Sequence, residues 1–145
     1  MQKLVIVFAV GMLTAGWAAA SDKTDIMAVL KQWSGADEQA ALATCADEAS
    51  IIDDVPPYEW HGPGACAKWL ANYKAFAKAQ EITEDSSTMG APRHFEISGD
   101  RAYVTAPVTF TSKKKGQPNN ETARVTITLL KTGAGWRITG WSWGD

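Results

Sequence analysis

Apolar positions along the chain fall into three successive patterns. From Leu4 to Trp17 they form one nearly unbroken run. From Ile26 to Phe76 they recur mainly at steps of three and four residues, and from Arg93 onward they alternate with polar residues. Ser21 or Asp22 is placed to cap a helix whose buried stripe is Ile26, Val29, Leu30 and Trp33, and Ser34-Gly35 ends it. Ala36 to Ala46 reads as a second, Ala-rich helix with Leu42 facing inward. Glu48 to Asp54 is β-prone through Ser50-Ile51-Ile52, and Pro56-Pro57 stops it. Tyr58 to Gly62 gives a short return strand. A third helix then starts near Pro63, with Cys66, Trp69, Leu70, Tyr73 and Phe76 on its inner face.

The β pattern holds from Glu81 to the end. Arg93 to Ser98 is one strand, Gly99-Asp100 a turn, and Ala102 to Thr111 a strict alternation. Lys113 to Asn120 is expected to be a polar hairpin turn. Glu121 to Lys131 alternates again, and Gly133-Ala134-Gly135 leads into a last strand, Trp136 to Trp143. On a regular strand Trp141 and Trp143 lie opposite Trp136 and Ile138. Two apolar faces would then pack on helices and on a second subunit. Helices first and a meandering antiparallel sheet last is the layout of an α+β domain, and helices across a curved sheet enclose a pocket.

The N-terminal run has a separate meaning. Lys3, the apolar stretch and Ala18-Ala19-Ala20 make residues 1–20 a secretory signal peptide, cleaved before Ser21. The stretch is about 14 residues, against roughly 20 for a membrane-spanning helix, and no cysteine follows it for lipid attachment. Residues 21–145 form one domain. Loss of Lys3 takes 14 Lys and Arg to 13 against 16 Asp and Glu, and the formal net charge from −2 to −3. That balance implies neither a nucleic-acid partner nor, after cleavage, a membrane. Export favours a bridge between the two cysteines, Cys45 and Cys66.

Helix–helix–strand order, the segment Ala49-Ser50-Ile51-Ile52-Asp53-Asp54, the following Trp60-His61-Gly62 with its helix, and the closing Gly135-Trp136-Arg137-Ile138 together carry a resemblance. The mature chain resembles the nuclear transport factor 2-like superfamily, which includes ketosteroid isomerase-like and SnoaL-like proteins. The resemblance implies a cone-shaped sheet packed against N-terminal helices, a ligand inside the cone, and a homodimer through the sheet. In the isomerase branch an Asp after the first strand is the general base, and Asp53 holds that place. The residues matching the isomerase oxyanion hole are Trp33 and Thr126, which are poorer donors for that role.

Chemistry-bearing residues are few. Asp53 is a general base, or an acceptor for backbone N–H groups at the Pro56-Pro57 turn. Adjacent Asp54 points the other way if both sit in a strand. His61 is close enough in sequence to pair with Asp53, and His94 is the other histidine. Nothing in the spacing of His61, His94 and Asp53 forms a metal motif, and no cofactor is expected. Tyr58, Trp60, Tyr73, His94, Tyr103 and Trp141 are the candidate walls of a pocket for a hydrophobic or cyclic small molecule. Lys113-Lys114-Lys115 reads as a solvated turn. Gly133-Ala134-Gly135 lacks the helix that phosphate cradling needs, and Asn120-Glu121-Thr122 is a glycosylation acceptor only in a eukaryote. Three functions compete: a small-molecule binder, an acid–base isomerase or cyclase using Asp53 and His61, and an interaction module using the outer sheet face.

Overall fold

The computed structural model describes residues 14–144, so most of the expected signal peptide lies outside the described residues. The order is α1 (Thr14–Trp33), α2 (Glu38–Ala43), β1 (Cys45–Ile52), β2 (Glu59–Pro63), α3 (Ala65–Ala79), β3 (Ile82–Met89), β4 (His94–Ser98), β5 (Arg101–Lys114), β6 (Gln117–Thr132) and β7 (Gly135–Gly144). The strands form one seven-stranded sheet, β2-β1-β7-β6-β5-β3, with β4 also on β5. All pairings are antiparallel except β1 with β7, which is parallel. The expected α+β class holds, with a curved, unclosed sheet and helices against its inner face.

Alternation sets the inner face. Val104, Ala106 and Val108 on β5, and Val125, Ile127 and Leu129 on β6, are buried, and the registers Val104↔Ile127 and Ala106↔Val125 put them side by side. Ile26 and Leu30 of α1 are fully buried against this face. Each such side chain contributes about 2 kcal/mol by leaving water, so the two together outweigh the roughly 1 kcal/mol of a helix cap.

Asp22 does not cap that helix. α1, described from Thr14, runs across the expected cleavage point, so Asp22 lies inside it, and its carboxylate accepts from Lys131 Nζ (2.5 Å) and Trp136 Nε1 (3.1 Å). Those two bonds hold α1 to β6 and β7. The second helix is shorter than expected. Asp37 caps it by accepting from Ala40 N at 3.0 Å, and the Thr44 hydroxyl donates to Ala41 O as the chain turns into β1. The expected polar turn at Lys113–Asn120 is mostly strand. Lys115 and Gly116, both at positive φ, make the reversal alone, and β5 and β6 stay paired out to Lys114↔Gln117.

The last strand departs from plain alternation. Thr128 pairs with Gly140 but Leu129 pairs with Ile138, so Thr139 is an extra residue in β7. The bulge reverses the phase once, and Trp136, Ile138, Trp141 and Trp143 share the inner face with Leu129, Ile127 and Val125. The expectation of tryptophans on opposite faces is thereby corrected. Gly140 is required here, because a Cβ would come within 2.6 Å of the Ser50 carbonyl oxygen on β1. Cys45 and Cys66 are bridged, tying the start of β1 to the first turn of α3. No described helix is long and apolar enough to cross a membrane.

Candidate functional site

A cavity of about 570 Å³ lies between the inner face of the sheet, α3 and the end of α1. Its aromatic wall follows from helical and strand spacing. Trp69, Tyr73 and Phe76 succeed one another on the inner face of α3, Trp33 is the last residue of α1, and Trp141 and Trp143 come from β7 after the bulge. Trp69 stacks on Tyr73 with centroids 5.7 Å apart and meets Trp141 edge-on at 4.7 Å, while Trp33 lies 5.7 Å from Trp141. The rings brace one another and still leave space beside them.

Asp53 enters this cavity from the loop after β1. Oδ1 accepts from Val55 N at 3.0 Å, and Oδ2 accepts from Trp69 Nε1 at 3.0 Å. The backbone-acceptor role at the Pro turn and a place in the cavity therefore belong to the same side chain. Burial, reinforced by the neighbouring Asp54 carboxyl, pushes its pKa up to about 6, against the two donors that favour the ionised form. Asp54 lines the cavity as well. β1 ends at Ile52, so strand alternation does not separate the two aspartates, contrary to expectation.

Across the cavity the Tyr73 hydroxyl donates to Asp85 at 2.6 Å. β3 reaches that position through a second irregularity. Its pairing with β5 shifts between Thr83 and Ser86, and Glu84 sits at a φ of 53°. Burial holds the Tyr73 phenol above its ordinary pKa, and Asp85, Asp53 and Glu121 push it the same way, so it stays a neutral donor.

The other expected site residues lie elsewhere. His61 is on β2 opposite Ser50, exposed, with Nδ1 3.2 Å from Ser50 Oγ and Nε2 3.3 Å from Glu59. It does not line the cavity, and the expected Asp53–His61 pair is not formed. Trp60, one residue earlier, points inward, but into the core, where its N–H donates to Asn72 at 2.9 Å. Tyr58 is 60% exposed beyond the Pro56-Pro57 turn. His94 and Tyr103 meet edge-to-face at 5.5 Å on the outer face of the sheet. Thr126 faces the same way, between Thr105 and Ser142, so it cannot act in the cone. Asp53, Tyr73 and Trp141 are the expected residues that line the cavity, and Trp33 joins them. Trp69, Asp85 and Glu121 are lining residues not anticipated as a site. Trp69 was visible as part of a helical stripe, whereas Asp85 had no signal, because a bulge aims it. Among the described residues no three His, Cys, Asp or Glu side chains converge into a metal-binding group.

The same architecture occurs in solved structures. A nuclear transport factor 2-like superfamily protein from Salmonella enterica superimposes with a TM-score of 0.71 at 18% identity, over 88% of this chain and 92% of that one. A protein with a cystatin-like fold from Novosphingobium aromaticivorans gives 0.69 at 17% identity, over 92% and 90%. One from Kribbella flavida gives 0.70 at 14%, over 87% and 91%. At these identities the likeness is one of fold. No functionally curated protein matches the chain. The SnoaL-like domain model matches residues 12–142, the sheet, the helices and the cone together, and the chain belongs to that family, with the fold of the nuclear transport factor 2-like structures.

Proposed function

We propose that this chain is an exported domain that binds a hydrophobic or cyclic small molecule inside its cone. One observation carries the proposal: about 570 Å³ remains beside Trp33, Trp69, Tyr73 and Trp141 after those rings have packed on each other. Small-molecule sites run from roughly 300 to 1,000 Å³, apolar with a few placed polar groups. Asp53, Tyr73 and Asp85 supply such groups here. The neutral dye Nile red should bind the disulfide-bonded protein with a blue-shifted emission. Met89→Trp, which fills the cavity from β3, should abolish that signal with the far-UV spectrum unchanged. Equal uptake by both proteins would place the dye outside the cone and remove the proposal.

Export is supported by Lys3, the Leu4–Trp17 run, the three alanines and the Cys45–Cys66 bridge. Expressed with its leader in a bacterium, the protein should be recovered from the periplasm or medium with Ser21 as its N-terminal residue. An intact Met1 on the recovered chain would count against processing. A second reading, acid–base catalysis, is favoured by the Asp53 carboxyl, which titrates near 6 within the cavity. In that reading Asp53 acts without His61. Pairing of two copies remains a proposal for the outer face, where Tyr103 and Ile52 are exposed.

A further inference from the structure

The cone's lining has a charge pattern that its apolar walls conceal. Asp53 and Asp54 reach it from the end of β1, Asp85 from β3 and Glu121 from β6. Glu38 also lines it, but Lys74 holds that carboxylate at 2.5 Å. Lys114 is the lining cation among the described residues, near the β5–β6 turn. The carboxylates are not gathered at one point, where they would make a chelating cluster. Asp85 accepts from the Tyr73 hydroxyl, and Asp53, Asp54 and Glu121 line the cavity at other points.

Rings with carboxylates spread around them favour one kind of guest. The face of an aromatic ring is negative, so Trp69, Tyr73 and Trp141 attract a cation and repel an anion. Asp53 is buried and acts at low dielectric, whereas Asp54, Asp85 and Glu121 stand open to solvent and act more weakly. A metal ion would need converging ligands, whereas a bulky organic cation can meet rings on one side and distant carboxylates on the others. Resting on the binding role proposed for the cone, we infer that it selects an organic cation, an amine or quaternary ammonium on a cyclic or hydrocarbon body, over neutral and anionic molecules of the same shape.

Three probes that share a phenethyl body and differ in the charge of the head group test this on the full, disulfide-bonded chain: phenethyltrimethylammonium, 3-phenylpropanamide and 3-phenylpropanoate. Titration calorimetry at low salt and pH 7.5 should show the ammonium binding about 10-fold or more tightly than either other probe, the gain of one well-placed cation–ring contact. Glu121→Gln should reduce that preference several-fold, and adding Asp85→Asn should reduce it further, to the part that the rings and Asp53 supply; a preference unchanged in both variants would remove the carboxylates from the selectivity. Asn at position 85 can still accept from Tyr73, and Glu121→Gln alone leaves that bond untouched. If the amide or the carboxylate binds as well as the ammonium, or if Nile red enters and no phenyl probe binds, the charge selectivity is wrong and the cone stands as a ligand site. If Nile red does not enter either, both inferences fall.

Discussion

At Asp53, two hydrogen bonds that favour the ionised carboxylate compete with burial and with Asp54, and burial wins. Its pKa in the folded protein, about 6, stands above the ordinary 3.8, so between these values the folded chain holds more proton than the unfolded one. Stability from this group is therefore fully present below pH 3.8 and is lost as pH rises to 6. After a discount for its partial solvent access, the loss is about 2 kcal/mol. Asp53→Asn removes the titration but costs an acceptor for Trp69 Nε1, about 1 kcal/mol. The variant should be less stable than the parent at pH 4 and equal or more stable at pH 7.5, as read by urea denaturation at both values. Parallel pH profiles would show that Asp53 titrates normally. A catalytic Asp53 would add loss of turnover at pH 7.5 without loss of stability. Asp22 works in the opposite sense. Lys131 and then Trp136 hold its pKa below the ordinary value, so its contribution disappears only as pH falls below 3.8.

At the scale of elements, two irregular strands decide what the cone contains. Without Thr139 as an extra residue, β7 would turn Trp141 and Trp143 away from the core side occupied by Trp136 and Ile138. Strict alternation gave that arrangement and, with it, a second apolar face for a partner subunit. The bulge moves the tryptophans inside, so dimerisation loses that support. A glycine inside a strand was the one available sign of it. Gly140→Ala should destabilise by about 2 kcal/mol, since the added Cβ meets backbone oxygen on β1 and not a movable side chain. Urea denaturation gives the value, and a change under about 0.5 kcal/mol would mean that β1 and β7 separate easily at this point. The same limit explains the misplaced site residues. His61, Tyr103 and Thr126 were assigned to the right strands, but Ser50↔His61 and the buried neighbours Ala102 and Val104 put them on outward positions. Asp85 is the converse, an exposed-looking strand residue that a bulge places in the site.

Over the whole molecule, alternation on β5 and β6 and the three- and four-residue steps of α1 and α3 made the architecture legible, because those periods report which face is buried. The parallel β1–β7 pairing was not legible, since it joins segments far apart in sequence by register alone. The Cys45–Cys66 bridge spans both kinds of information. It closes a sequence separation of 21, which restricts the unfolded chain by about 3 kcal/mol. It also lines the cavity and fixes α3, with Trp69 and Tyr73, against β1. Its loss should thus act twice. Cys45→Ser with Cys66→Ser, or reduction of the parent, should lower stability by about 3 kcal/mol in urea and weaken Nile red uptake more than Asp53→Asn does. A stability loss with unchanged uptake would mean that Ile26, Leu30 and the sheet hold the cone without the bridge. In that case α3 is positioned by Trp60, Asn72 and the Trp69–Asp53 bond. The two outcomes separate a bridge that restrains the unfolded chain from one that also shapes the site, and the proximity of both cysteines to the cavity favours the second.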